Sequence, residues 1–243
     1  MLVEFWDFCR ANSMRTLPYM KAWHDRYGAP RPDAGGALAR SPRARVPSGQ
    51  ERGGAGLQLV GIHSPGYEAS RPRDAVERAV ERLGITYPVL VDPRLEMWRE
   101  YENRGWPARY LFDGRGMLFD YHYGEGAYRE TELAIQELLA LEREPLAPLR
   151  PEDAPGARLV PQSADHEGAY SGPYEAGGVW AVLDGAGTVR VAGAPGGQAA
   201  ELAITQPGAY PLIEHGRHTA GVMELQIGEG VACLATCFTP GVR

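Results

Sequence analysis

The 243-residue sequence holds three cysteines and six histidines, the side chains best suited to attack, to hold a metal or to move a proton near neutral pH. Cys9 follows an apolar run, Leu2–Trp6, and stands just before a helical stretch from about Asn12 to Tyr27, beside Arg10. A helix start and an adjacent cation both favour a thiolate, so Cys9 is the candidate nucleophile. Cys233 and Cys237 lie in Val231-Ala-Cys-Leu-Ala-Thr-Cys-Phe238, which reads as a strand. Four strand steps separate them by about 13 Å, beyond the roughly 7 Å a disulfide tolerates, so the expectation is two unpaired thiols sharing one face. His24, His63, His122, His166, His215 and His218 show no zinc-site spacing, and the isolated His215-x-x-His218 reads as solvated turn residues. No metal and no cofactor is expected. Gly124-Glu-Gly126 and Gly185-Ala-Gly187 read as turns, because neither sits between a strand and a helix in a dinucleotide fingerprint. Trp98, Trp106 and Trp180 could stack on a sugar, but core packing is the simpler reading.

The elements that must position these residues fall into two styles. In the first half, strand and helix signals alternate: Leu2–Trp6, then 12–27 as helix, Leu57–Ile62 as strand, Arg73–Leu83 as helix with Ser70 and Asp74 at its start, and Pro88–Asp92 as a short buried strand. A short helix at Leu95–Tyr101, a hairpin of Arg109–Asp113 with Met117–Tyr123, and a helix from Tyr128 to Arg143 complete it. Glu130 and Glu132 at one end of that helix and Arg143 at the other would match its dipole. The order implies an α/β sheet covered by helices. The second half loses helical periodicity. Short strands at Val179–Asp184, Thr188–Ala192, Val222–Ile227 and Val231–Thr239, with tight reversals at 184–187 and 228–230, predict hairpins in a β-sandwich or jelly roll.

Two composition breaks separate or interrupt these regions. Gly28–Gly56 has five arginines, two acids and many glycines and prolines, and reads as a mobile surface insertion. Pro145–Pro155 strings four prolines together and reads as a stiff linker. The predicted organisation is a domain at 1–147, a linker at 148–155 and a β-sandwich at 156–243. A net charge of −6, with 44% hydrophobic and 23% charged residues, fits a globular chain and gives no reason to expect a nucleic-acid partner. No apolar run approaches the roughly 18 residues of a membrane span, and acids and arginines in the first thirty positions do not make a signal peptide. As written the chain is expected in the cytoplasm; a start further upstream would place it outside.

The order of elements, with Trp6-Asp-Phe-Cys-Arg-Ala-Asn-Ser-Met-Arg-Thr-Leu-Pro18 directly after the first strand, resembles the thioredoxin-like proteins of the TlpA/DipZ type, grouped with the AhpC/TSA and redoxin families. Asn103-Arg-Gly-Trp-Pro-Ala-Arg-Tyr-Leu-Phe-Asp113 and the stretch from Tyr121 to Glu132 extend the resemblance to about residue 143. Val179-Trp-Ala-Val-Leu-Asp-Gly-Ala-Gly-Thr-Val189 is similar to the carbohydrate-module-like domain that follows in DipZ-type proteins. The resemblance implies an α/β thioredoxin fold followed by an all-β sandwich, with Trp6, Trp106 and Pro107 lining the site and Pro107 in the place of the family's cis-proline. It also puts Arg10 and Ser13 at the two positions of the family's Cys-x-x-Cys, which here reads Arg-Ala-Asn-Ser. Dithiol exchange needs one thiolate to attack and a second to release the mixed disulfide; arginine can do neither. The leading expectation is a degenerate redox-family module that binds a protein partner at its former active-site face. One alternative is a single-cysteine thiol oxidoreductase or peroxidase working through Cys9. Another is carbohydrate or small-ligand binding by the β-sandwich.

Overall fold

The structure is a computed structural model and describes residues 1–28, 56–193 and 200–243. The insertion expected at about 28–56 lies, from 29 to 55, outside the described residues. The chain divides into two compact units: Met1–Asp7 with Asn12–Leu146, and Phe8–Ala11 with Ala147–Arg243.

The first unit runs β1 (Leu2–Trp6), α1 (Ala11–Tyr27), β2 (Leu59–His63), α2 (Arg73–Arg82), β3 (Val89–Val91), α3 (Glu96–Glu100), β4 (Ala108–Phe112), β5 (Leu118–Tyr123) and α4 (Tyr128–Leu139). Its sheet has the order β3-β2-β1-β4-β5, with β1, β2 and β3 parallel and β4 antiparallel to β1 and β5. Every residue of β1 is buried, as a strand covered on both faces must be. Phe5 packs edge-on to Trp98, Tyr101 and Tyr110 on one face. Arg109, the cross-strand partner of Glu4, lies over the rings of Trp23 and Tyr128.

Two helix ends differ from expectation. Ser70 does not cap α2: Pro72 holds the cap position, and the Ser70 hydroxyl donates to Tyr67 O inside a preceding 3-10 turn. Asp74 does lie in the first turn of α2, paired with Arg78. Helix α4 stops at Leu139, where Ala140 turns left-handed at φ 50°, so Arg143 lies beyond it and the last turn has no basic residue. The Arg143 main-chain N–H instead donates to the Gln136 side chain.

The second unit is all-β: β6 (Leu159–Val160), β7 (His166–Glu167), β8 (Gly172–Gly185), β9 (Gly187–Ala192), β10 (Ala200–Ile204), β11 (Gly208–Ile227), β12 (Val231–Thr239) and β13 (Gly241–Val242). Six strands form one antiparallel sheet in the order β10-β9-β11-β8-β12-β7, and β13 pairs with β6. Neither predicted hairpin exists. β11 lies between β8 and β9, and β8 lies between β11 and β12, so neither glycine turn joins two paired strands. The two turns bind each other instead: Ala186 N–H donates to Gly230 O at 2.9 Å and Gly228 N–H to Thr188 O at 2.8 Å. Gly185, at φ 94°, adopts the left-handed backbone that such a reversal needs, and a Cβ there would meet Gly230 O at 2.1 Å.

A second departure concerns the cysteines of β12. Cys233 pairs with Leu183 but Ala235 pairs with Val182, so Leu234 is an extra, bulged residue. The bulge shifts the alternation by one. Cys233 packs on the core that holds Val179, Ala181 and Leu183, whereas Cys237, opposite Trp180, lies on the other face. The two thiols therefore do not share a face. His215 and His218 are also not turn residues. They lie within β11, where its register against β8 shifts between Glu214 and Thr219.

Candidate functional site

The strand-to-helix junction after β1 is built around Asp7, a buried carboxylate that the sequence reading passed over. Its Oδ2 accepts the Gly66 N–H at 2.7 Å, its Oδ1 stands 3.4 Å from His63 Nε2, and its main-chain N–H donates to Ser13 Oγ at 3.2 Å. Parallel pairing puts Trp6 beside His63 at the ends of β1 and β2, and the two rings meet edge to face at 5.1 Å. Trp6 is itself buried, 1% exposed, and fills space that only a glycine at 61 leaves free: a Cβ there would lie 2.9 Å from the indole nitrogen.

Ser64 ties this junction to Trp106. Its N–H donates to Trp6 O at 3.1 Å, and its carbonyl accepts the Trp106 indole N–H at 2.8 Å. Its hydroxyl donates to Asp92 Oδ2 at 3.1 Å. Asp92 also accepts the N–H groups of Glu96 at 2.7 Å and Trp98 at 3.0 Å, satisfying the otherwise unpaired start of α3. Trp98 and Trp106 then lie 4.2 Å apart, half-buried, and the Trp106–Pro107 peptide bond is cis. Within α1, Arg15 Nε donates to Glu125 Oε2 at 2.8 Å.

Two acids mark this region in the sequence, Glu4 and Asp7, in or next to an otherwise apolar strand. That was the signal available for both. Glu4 is wholly buried, and its carboxyl is pushed up to about 8 by that burial, against the opposing pull of Arg109 and the Tyr87 hydroxyl. Of the predicted residues, Trp6, Trp106 and Ser13 are thus joined through Asp7 and Ser64. Cys9 is buried, 0% exposed. In the second unit, burial and Asp165 push the Cys237 thiol up to about 12, and burial raises Cys233. Tyr174 and His215 share a hydrogen bond of 3.1 Å, and His218 lies 3.5 Å from Glu175. Among the described residues no group of three or more His, Cys, Asp or Glu side chains could hold a metal, and no helix is long and apolar enough to cross a membrane.

No family model matches the chain. Among curated proteins it is similar to DipZ of Mycobacterium tuberculosis, 27% identical over 169 residues, which is 67% of this chain and 21% of DipZ. It is 32% identical over 126 residues to human NHL repeat-containing protein 2, covering 52% of this chain and 14% of that protein. The thiol-disulfide oxidoreductase YkuV of Bacillus subtilis is 27% identical over 84 residues, 35% of this chain and 57% of YkuV. A solved thiol-disulfide isomerase from Corynebacterium glutamicum superposes with a TM-score of 0.42 at 19% identity, over 58% of this chain and 80% of that one. The chain spans about a fifth of the length of DipZ. Strand order, the helix α1 that follows β1, and the similarity to DipZ and YkuV define a class: the first unit has a thioredoxin-like α/β fold. A large all-β sheet region occupies the C-terminal part of the chain.

Proposed function

We propose that this chain is a thioredoxin-like module that no longer performs dithiol exchange and acts by binding, with the face around Trp106 and Pro107 as the surface for a protein segment. One observation carries the reading: the positions that resemble the family's two cysteines hold Arg10 and Ser13. An arginine cannot attack a disulfide, and a hydroxyl cannot release a mixed one. Two features of the site support it. The Ser13 hydroxyl already accepts the Asp7 N–H, which gives it a structural task at the helix start. Cys9 has no exposed surface through which peroxide or a disulfide could reach its sulfur.

The test is turnover of an insulin-type disulfide by the native chain and by Arg10→Cys combined with Ser13→Cys. The native chain is expected to be inactive and the double variant to exchange disulfides measurably. Native turnover at a rate typical of thioredoxins overturns the reading. If that turnover, or any consumption of peroxide, disappears in Cys9→Ser, the single-cysteine mechanism takes its place.

A further inference from the structure

Five buried side chains with polar atoms meet on one face of the central strand of the first unit. Glu4 and Trp6 are two apart on β1 and so point to the same side of the sheet. Arg109 of β4 is the partner of Glu4 across one edge of β1, and Gly61 of β2 is its partner across the other. A Cβ on Gly61 would meet the Trp6 indole nitrogen at 2.9 Å and the Tyr87 ring at 3.2 Å, so both rings close over the spot beside Glu4. Trp23 of α1 joins them through Arg109, whose guanidinium carbon lies 5.7 Å from the centre of its ring.

Little of this polarity is matched within the protein. Both carboxyl oxygens of Glu4, the Tyr87 hydroxyl, Arg109 Nε and Nη1, and the indole nitrogens of Trp6 and Trp23 are shielded from solvent and have no hydrogen-bond partner. Arg109 Nη2 is satisfied by Gly126 O, which holds the guanidinium in place. Arg109 and Tyr87 are the groups that pull on the Glu4 carboxyl, so the three face one another, yet across gaps too long for a direct bond. Left dry, so many buried polar atoms would together cost as much as the whole stability of a typical domain.

We infer that the core of the first unit encloses ordered water, which bridges Glu4, Tyr87, Arg109 and the Trp6 indole. The balance of donors and acceptors selects water over an ion. A cation would be repelled by Arg109, and an anion would leave the Glu4 oxygens without a donor. Water donates and accepts, and one molecule makes about three hydrogen bonds in such a site. Polar groups that face each other beyond direct reach are the ones a bridging water joins. Closing a direct Glu4–Arg109 pair instead would still leave the Tyr87 hydroxyl and the indole N–H groups unmatched. This inference is independent of the binding role proposed above.

Two measurements on the full chain read the water directly. Nuclear Overhauser transfer from water to the Trp6 indole N–H is expected, because an enclosed molecule stays far longer than surface water. A hydroxyl proton exchanging with solvent can imitate that signal, so oxygen-17 relaxation dispersion, which responds only to whole water molecules, is recorded beside it and should show long-lived water. Glu4→Met combined with Arg109→Met replaces both charged groups with apolar chains, and should lower the dispersion amplitude by the signal of about one water molecule or more. An absent transfer to Trp6 overturns the inference. So does a native chain whose oxygen-17 dispersion shows no long-lived water, or a folded double variant whose amplitude equals the native one. If circular dichroism finds the double variant unfolded, the two native measurements decide.

Discussion

Glu4 makes a sharp test of the electrostatics of the first unit. Its carboxyl is fully buried in the central strand and is raised from an ordinary value of 4.5 to about 8. Between those two values the folded chain holds a proton that the unfolded chain has released. The folded state binds more protons there, so its stability falls as pH rises through the window. The full difference corresponds to about 5 kcal/mol by pH 8 and about 3 kcal/mol at pH 7. Glu4→Gln keeps the shape and cannot ionise, so the loss should vanish in the variant. Among the described residues all the α-helices lie between Ala11 and Leu139, so urea unfolding followed by helical circular dichroism reads this unit. The stability of Glu4→Gln relative to the native chain should climb by roughly 1.4 kcal/mol per pH unit between pH 5 and 8, then level off. Other titrating groups cancel in that difference. A difference that does not change with pH would refute the reasoning, because it would mean that Glu4 is ionised in the folded chain throughout, held so by Arg109.

Further outcomes follow from single contacts. Asp92→Ala removes the acceptor for the start of α3 and for the Ser64 hydroxyl and should cost about 2 kcal/mol in thermal unfolding; a loss near zero would mean water replaces it freely. Gly61→Ala drives a methyl group into the Trp6 indole and, at 3.2 Å, into Tyr87, and should cost about 2 kcal/mol, read in the same melt. Asp165→Asn removes a charge and an acceptor that hold the Cys237 thiol up, so its thiolate fraction rises and its alkylation at mildly alkaline pH should accelerate; an unchanged rate would leave burial as the sole cause.

How far the sequence was legible depended on whether a feature is local. The alternation of apolar runs and helical spacings identified the strands and α-helices described in the first unit, most legibly those that bury a face the residue pattern already shows, such as β1 and α2. Helix ends were less legible. The stop at Leu139 depends on Ala140 turning left-handed, which alanine gives no sign of, and Arg143 looked like a suitable last-turn cation because the periodicity runs past the true end. The all-β half was read as strands joined by hairpins, since two glycine turns sit between apolar runs. Strand neighbours are chosen by long-range pairing, however, and here β8 and β11 each insert between strands that are consecutive in the chain. The bulge at Leu234 is equally silent. Counting by twos from Cys233 to Cys237 put both thiols on one face, and one extra residue reversed the answer.

The site illustrates the same division in a form that bears on function. Motif positions are visible in a sequence, so Arg10 and Ser13 could be read directly at the positions that resemble the family's two cysteines. The frame around them could not, because it consists chiefly of contacts between distant segments: Gly66 with Asp7, and Ser64 with Trp6, Trp106 and Asp92. None of these bonds uses Arg10 or Ser13, and only the Asp7 N–H to Ser13 Oγ contact reaches that segment. The contacts that position the helix start and the Trp106–Pro107 segment therefore contribute to folding stability in their own right, whatever residues stand at 10 and 13. On the binding reading proposed above, a frame held in this way keeps a defined surface without dithiol exchange, which is what a binding module requires.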